Sequence, residues 1–195
     1  MADNELGFDK EALPLMIEPY QEAARRASSQ EFIARVPYPV LLFARSQLWD
    51  PLLLVVRNQG ATGGRETAIV SYDLGRGGRS FLSPVRKRQT NPQDPMVMLG
   101  RNTTNDMVVP VNSISGTHCI FTPPAAPGGL WGCRDLDTKN GTYLREDRMT
   151  PGMVYTIDNG TYLRLGGNLI AWFLYPDKLW EKLQTDAQLK ALTDL

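Results

Sequence analysis

Short apolar runs separated by polar turns fill most of the chain, and they predict β-strands. The predicted strands lie at residues 38–44, 52–57, 67–74, 80–88, 96–99, 107–109, 118–121, 131–134, 143–144 and 162–165. Gly, Pro, Asn and Asp residues separate nearly all of them, at intervals of about ten residues. Many short strands at even spacing are typical of a β-sandwich or barrel. We therefore expect a mainly β fold, either a sandwich or a barrel.

Helical spacing replaces this pattern near both ends of the chain. Ser28 and Glu31 stand in a capping-box pattern just ahead of the apolar Phe32. Further upstream, Pro14 and Pro19 interrupt a helical spacing of apolar residues, so any helix there is expected to be broken.

These patterns divide the chain into three segments. Residues 1–36 are expected to form a helical N-terminal extension, residues 37–175 the β-rich domain, and residues 176–195 a C-terminal helix. The Leu and Trp stripe of the last segment is expected to pack on the β-rich domain rather than to bind a partner. Whether the extension is a separate domain or also packs there is open at this stage.

Composition and charge favour a protein that is neither a nucleic-acid nor a membrane binder. The chain has 195 residues, of which 42% are apolar and 22% charged, as in ordinary globular domains. Its 21 Lys and Arg balance 21 Asp and Glu, so it lacks the cationic excess that general binding to nucleic acid or anionic lipid requires. The N-terminus has no apolar signal segment, and no apolar run is long enough to span a bilayer. We expect a cytoplasmic protein.

The sequence offers little for catalysis or metal binding. One His and two Cys do not make a zinc ligand set. His118 and Cys119 are adjacent, so on a strand they point to opposite faces and do not form a nucleophile–base pair. Cys119 lies two residues before Phe121, and Cys133 lies two residues after Trp131, so on a strand each cysteine points to the same face as an aromatic ring. We expect both cysteines to face the core as reduced thiols. No P-loop is present. We expect no enzymatic activity, no cofactor and no metal.

Three polar loops in the second half of the chain are more informative. They lie at residues 100–106, 112–117 and 135–142, each between apolar strand residues. Together they contain the guanidinium of Arg101, the ammonium of Lys139, hydroxyl and amide groups, and backbone N–H donors. Such a mixture suits a phosphate dianion, which presents three acceptor oxygens. A separate basic run at residues 86–88 is expected to be a solvated strand face.

The residues of these loops, in their order and spacing, resemble the motif of the forkhead-associated (FHA) domain family. The motif consists of Gly-Arg, Ser-x-x-His and Asn-Gly-Thr. In this chain it is Gly100-Arg101, Ser115-Gly-Thr-His118 and Asn140-Gly141-Thr142. The resemblance covers residues 67–175 and is clearest at 96–167. It implies that residues 37–175 form an antiparallel β-sandwich that binds phosphothreonine peptides.

The resemblance also implies roles for individual residues. Arg101 resembles the phosphate-binding arginine, and Ser115 resembles the hydroxyl that donates to a phosphate oxygen. Lys139 stands where a side chain lies near the phosphate, and Asn140 resembles the residue that holds the peptide main chain. Thr117 belongs to the same binding set. The structural members of the motif are Gly100, His118 and Gly141.

Gly116 departs from the family pattern. Family members often carry Arg, Lys or Asn after the serine, with the side chain near the ligand. At Gly116 the N–H still donates, but that side-chain contact is lost. Ser113 stands where some relatives carry a basic residue, so we predict no preference for an acid three residues after the phosphothreonine.

The function implied by the resemblance is docking of a phosphothreonine-containing partner downstream of a Ser/Thr kinase, the partner being that kinase or its substrate. The alternative is a phosphate-independent structural or assembly module on the same fold, which Gly116 favours slightly and the motif residues disfavour. A third possibility is that Thr90 or a serine near Ser28 is phosphorylated and docks on another copy of the chain.

Overall fold

The computed structural model describes residues 15–43, 53–57, 67–71, 81–87, 94–109 and 111–184. The turn predicted at 58–64, Thr90, and the last part of the predicted C-terminal helix lie outside the described residues.

The described residues contain fourteen strands and three helices. The strands are β1 (Leu15–Met16), β2 (Val40–Phe43), β3 (Leu53–Arg57), β4 (Thr67–Ser71), β5 (Phe81–Pro84), β6 (Val97–Gly100), β7 (Met107–Val108), β8 (Cys119–Thr122), β9 (Trp131–Asp135), β10 (Thr142–Leu144), β11 (Asp147–Arg148), β12 (Val154–Ile157), β13 (Thr161–Leu165) and β14 (Leu169–Leu174). The helices are α1 (Glu18–Arg26), α2 (Ser29–Arg35) and α3 (Pro176–Gln184).

Two sheets form the body of the fold, which confirms the predicted β-sandwich. One has seven strands in the order β1-β5-β2-β14-β13-β10-β11. The other has five in the order β12-β9-β8-β6-β7, and β3 pairs with β4 in a separate hairpin. Every pairing in the described residues is antiparallel except that of β6 with β7.

The main core lies between the two sheets. Alternate residues of β2, Leu41 and Phe43, enter it from the seven-stranded sheet, and Phe121 enters it from β8. The rings of Phe121 and Phe173 stack with their centroids 6.0 Å apart. The core thus joins the two sheets from which the three polar loops extend, one after β6, one before β8 and one after β9.

A second core lies on the outer face of the seven-stranded sheet, where the three helices cover it. Trp172 of β14 packs there with Phe32 of α2 and with Leu179 and Leu183 of α3. The stripe of α3 therefore packs on the sandwich as expected, together with α1 and α2. Because β14 is buried on both faces, its sequence is continuously apolar rather than alternating, and the alternation pattern did not predict it.

Pro19 does not break the N-terminal helix, contrary to the sequence expectation. It lies in the first turn of α1, where its missing N–H would have no helical partner and its fixed φ suits the helix. The capping box that begins α2 is present as predicted. The N–H of Ser28 donates to Glu31 at 2.8 Å, and the N–H of Glu31 donates to Ser28 Oγ at 3.4 Å.

The prediction of a solvated basic strand at residues 86–88 is wrong for the two described residues. Strand β5 ends at Pro84. Lys87 Nζ donates to Asp106 at 3.1 Å and to the Met96 carbonyl at 3.0 Å, and Asp106 is almost fully buried. Arg86 lies over the ring of Tyr38. Both cationic side chains thus contact groups of the protein itself. Lys87 can do so because it lies close to Met96 and Asp106, on either side of β6 in the sequence.

Both cysteines are fully buried in the main core, as their parity with aromatic residues predicts. The register of β8 and β9 pairs Phe121 with Cys133 and Cys119 with Asp135, so the cysteines are diagonal neighbours. The contact with Cys133, and then burial, raises the pKa of Cys119 well above its ordinary value. The Cys119 thiol is therefore protonated, and both buried cysteines pack as small apolar groups.

Candidate functional site

The first two polar loops run side by side. The backbone N–H of Arg101 donates to the Ser115 carbonyl at 2.9 Å, and that of Asn102 donates to the Gly116 carbonyl at 2.9 Å. These bonds join the loop that follows β6 to the loop that precedes β8. The structure therefore brings Arg101 next to Ser115, although they lie 14 positions apart in the sequence.

Asn105 locks the two loops together. Its side chain is only 1% exposed, and its Nδ2 donates to the Gly116 carbonyl at 2.7 Å and to the Asn102 carbonyl at 2.8 Å. Because a buried amide with both protons bonded is costly to displace, it holds the spacing of the loops.

Gly100 allows this close approach. A Cβ at this position would collide with the Gly116 carbonyl oxygen and would lie 2.7 Å from Thr117 Cα and 2.8 Å from Asn105 Nδ2. Two of these atoms are backbone and cannot turn away. The glycine before Arg101 is thus required by the packing of the second loop against the end of β6.

His118 is fully buried and supports the loop at residues 112–117, which carries Ser115. The N–H of Ser115 donates to His118 Nδ1 at 3.2 Å, which leaves the proton of the neutral ring on Nε2. Nε2 is buried and makes no hydrogen bond with the described residues. Burial lowers the pKa of His118, although the Asp135 carboxylate and the Gly141 backbone oppose this shift. The ring is therefore neutral at pH 7 and structural in position.

The third loop joins the other two through Asn140. The side-chain Nδ2 of Asn140 donates to the Ser113 carbonyl at 2.9 Å, across 27 positions of sequence. Gly141 follows with φ +77°, a left-handed conformation that glycine adopts without strain. All three loops thus form one surface at the end of the sandwich.

Asp135 fixes the shape of the third loop from inside. Its carboxylate is buried and accepts from the Thr138 N–H at 3.0 Å, the Thr138 hydroxyl at 2.8 Å and the Thr142 hydroxyl at 2.6 Å. Burial alone would raise the pKa of Asp135, but the hydrogen bonds from Thr142 and Thr138, helped by His118, lower it. The carboxylate is ionised at neutral pH, and the loop is built around it.

The surface of the three loops presents unpaired donors. Arg101 is exposed, with its Nε bonded to the Ile114 carbonyl at 3.3 Å and no acidic partner among the described residues. Within the described part of the chain, the hydroxyls of Ser115 and Thr117 also have no partner. Lys139 and Asn140 are exposed beside them. Such a set of cations, hydroxyls and amides is suited to bind an oxyanion.

Three further residues belong to this surface and were not singled out from the sequence. Asn105 is one polar residue among several in the first loop, and its role as a buried clamp follows only from the crossing of two loops. Asn102 places its side-chain amide over Gly116, and Arg148 places its guanidinium against Gly141. No sequence signal identifies these two contacts, because they depend on loop packing and strand register.

The described residues contain neither a metal-binding cluster nor a membrane-spanning helix. No group of three or more His, Cys, Asp and Glu side chains has metal-binding geometry there. None of the helices in the described ranges is both long and apolar enough to cross a membrane.

Comparison with known proteins finds one family match, which covers part of the chain. Residues 97–166 match the family model of the FHA domain, whereas no curated protein matches the chain. The matched range contains all the motif residues described above.

Three solved structures illustrate the likeness. The MEK1 FHA domain, in complex with a phosphothreonine peptide of HOP1, is 23% identical, with a TM-score of 0.39 and coverage of 48% of this chain and 87% of that chain. Mycobacterium tuberculosis EmbR, in complex with a low-affinity phosphopeptide, is 20% identical, with a TM-score of 0.37 and coverage of 50% and 22%. The FHA domain of CT664 from Chlamydia trachomatis is 16% identical, with a TM-score of 0.40 and coverage of 70% and 96%.

TM-scores this low add nothing to the assignment. It rests on the family match and on the motif residues Gly100, Arg101, Ser115, His118 and Asn140, which stand in the family's order within the matched range. Residues 97–166 of this chain are therefore an FHA domain.

Proposed function

We propose that this chain is a phosphothreonine-dependent docking module, which binds a phosphorylated partner on the surface of its three loops. The observation that carries the proposal is the exposed guanidinium of Arg101, tethered at Nε and without an acidic partner among the described residues. A cation held in place beside the unpaired hydroxyl of Ser115 is ready to receive a dianion.

Each loop has a role in this proposal. Arg101 makes a charge-assisted contact with the phosphate, and the hydroxyl of Ser115 and the N–H of Gly116 donate to its oxygens. Lys139 adds a second positive charge, and Thr117 supplies a further hydroxyl. Asn140 forms a hydrogen bond with the main chain of the peptide. For this its Nδ2 releases the Ser113 carbonyl, or its side-chain oxygen accepts from a peptide N–H.

In this proposal the partner carries a phosphate added by a Ser/Thr kinase, and it is either that kinase itself or its substrate. The cations of the site bind the phosphate, so docking follows the kinase reaction. The three helices are proposed to belong to the same folding unit, since they cover one face of the seven-stranded sheet. The MEK1 and EmbR structures contain phosphopeptides, which is consistent with such a role for this FHA domain.

Fluorescence-polarisation binding to a degenerate phosphothreonine peptide library tests the proposal. The unphosphorylated library and Arg101→Ala run alongside. We expect binding only to the phosphorylated library, and Arg101→Ala to weaken it by about 2–5 kcal/mol, because it removes one partner of a charge pair desolvated in the complex.

Arg26→Ala is the matched control. Arg26 is exposed on α1 and paired with Glu22, on the helical side of the molecule, so its loss should leave peptide affinity unchanged. Equal affinity for phosphorylated and unphosphorylated peptides would contradict the proposal and favour a phosphate-independent assembly module.

A further inference from the structure

Arg148 lies at the rim of the three-loop surface. Strand β11 pairs antiparallel with β10 and so brings Arg148 back toward the third loop. The residue is exposed and faces Tyr143 across the β10–β11 pair. Its guanidinium reaches back along β10 to Gly141. A Cβ on Gly141 would lie 2.8 Å from Nε of Arg148 and 3.3 Å from its Cζ.

This contact depends on Gly141 lacking a side chain. The guanidinium of Arg148 occupies the position that a side chain at 141 would take, so it is seated on the backbone of the third loop. The residue before Gly141 is Asn140, and the residue before that is Lys139, both exposed. Arg148 thus extends the row of donors along the same edge of the site.

Arg148 is also unpaired, in contrast to its neighbour Arg164. Arg164 faces Tyr143 from the other side, lies 3.7 Å from the centre of its ring, and donates from Nη1 to the Gly167 carbonyl at 2.9 Å. Arg148 has no ion-pair partner among the described residues.

The nearest acids along the chain are directed elsewhere. Asp147 is adjacent to Arg148 on β11, so the two side chains leave opposite faces of the strand. Glu146 accepts a hydrogen bond from the hydroxyl of Tyr162. The guanidinium of Arg148 is therefore available to a ligand.

We propose that Arg148 is a specificity-determining residue, which binds an aspartate or glutamate side chain flanking the phosphothreonine. The proposal rests on the function proposed above, because it needs a peptide on the three loops. A planar guanidinium accepts a carboxylate in a two-point contact, and its seat on Gly141 limits the rotamer entropy lost on binding. The preferred ligand is thus an acidic phosphothreonine peptide.

An aspartate scan tests this proposal with the full chain. A phosphothreonine peptide with neutral flanking residues is compared with peptides that carry one aspartate at each flanking position in turn. We expect aspartate at one position to raise affinity about three- to tenfold in the wild type. In Arg148→Gln this gain should disappear, while the neutral phosphopeptide still binds in a phosphate-dependent way.

Two further variants make the result specific. Arg145→Gln removes an exposed cation from the turn of the same hairpin and should keep the aspartate preference. Arg148→Glu should reverse the preference, so that lysine at the same peptide position now strengthens binding. All three substitutions are at exposed positions, and circular dichroism checks that each variant is folded.

The possible failures are distinguishable. If no phosphopeptide binds the wild type, the proposed function fails and the role of Arg148 fails with it. If the neutral phosphopeptide binds but aspartate has no effect at any position, or the effect survives in Arg148→Gln, the role of Arg148 is overturned and the docking function stands.

Discussion

The side-chain amide of Asn102 lies over Gly116. A Cβ on Gly116 would lie 2.8 Å from Asn102 Nδ2 and 3.1 Å from its Oδ1. The backbone N–H of Asn102 also donates to the Gly116 carbonyl, which fixes the amide beside Arg101 and Ser115. The space that a side chain at 116 would use is therefore filled from the neighbouring loop.

Asn102→Ala and Gly116→Ala are expected to have the same effect on phosphopeptide binding. The first removes the amide and the second displaces it, so each should weaken binding by about 1 kcal/mol, the value of one ordinary hydrogen bond. Because both act on one group, the double variant should be no weaker than either single variant. Binding curves for the four proteins check this, and additive losses would show that the amide does not serve the ligand.

Gly100→Ala is expected to destabilise the fold far more than Gly116→Ala. At Gly100 the new methyl group would meet the backbone of Gly116 and Thr117, which cannot move, so we expect a loss of about 1–3 kcal/mol in the free energy of unfolding. At Gly116 the atoms nearest to the new methyl group belong to the Asn102 side chain, whose end can turn. Urea denaturation of the two variants gives the comparison, and equal losses would contradict the packing described for Gly100.

Loss of the Asp135 carboxylate is expected to unravel the third loop. Asp135→Ala leaves the buried hydroxyl of Thr142 and both donors of Thr138 without their acceptor, which should cost about 2–4 kcal/mol of unfolding free energy. Thr138→Val removes one donor and keeps the side-chain shape, so it should cost only about 1 kcal/mol. Thermal unfolding ranks the two, and similar losses would contradict a network centred on the carboxylate.

The stability of the domain is expected to fall as the pH is lowered below about 6.5. Burial holds the pKa of His118, the only histidine in the sequence, below its ordinary value of 6.5. The unfolded chain therefore binds this proton first, so the contribution is complete above pH 6.5 and is lost as the pH falls from there toward the folded pKa. Asp135 also makes the domain less stable as the pH falls, but in a lower pH range. Its pKa lies below 3.8 in the folded state, so its contribution is lost as the pH falls below 3.8.

Two measurements check the histidine prediction. Urea unfolding between pH 8 and pH 5 should show the decrease. An NMR titration of the imidazole signal in the folded protein reads the pKa of His118 directly, since there is no second histidine to assign. A folded pKa at or above 6.5 would contradict a buried neutral ring.

Leu179→Ala is expected to destabilise the whole domain rather than α3 alone. Leu179 is fully buried against the outer face of the seven-stranded sheet, so truncation should cost about 2–4 kcal/mol. Lys178→Ala, on the exposed side of the same helix, should change stability by less than about 0.5 kcal/mol. Near- and far-ultraviolet dichroism should give one shared transition, whereas separate transitions would show that the helices unfold independently of the sandwich.

The sequence was most informative where chemistry requires particular residues in a particular order. Arg101, Ser115 and Asn140 could be chosen from the sequence because the family motif places them in loops between recognisable strands. Asn102 and Arg148 could not be chosen this way. Asn102 is one polar loop residue among several, and Arg148 reaches Gly141 only through the register of β10 and β11.

The strand–turn texture of this protein and the identity of its motif residues are properties of the sequence alone, because alternation, turn residues and residue order are local. The tertiary structure decided that three loops from distant parts of the chain form one surface, through the bonds of Arg101 to Ser115 and Asn140 to Ser113. It also decided that α1, α2 and α3 cover the outer face of a sheet whose central strands are buried on both sides. These features depend on pairings between residues far apart in sequence, and such pairings are selected by the packing of the whole core rather than by any local pattern.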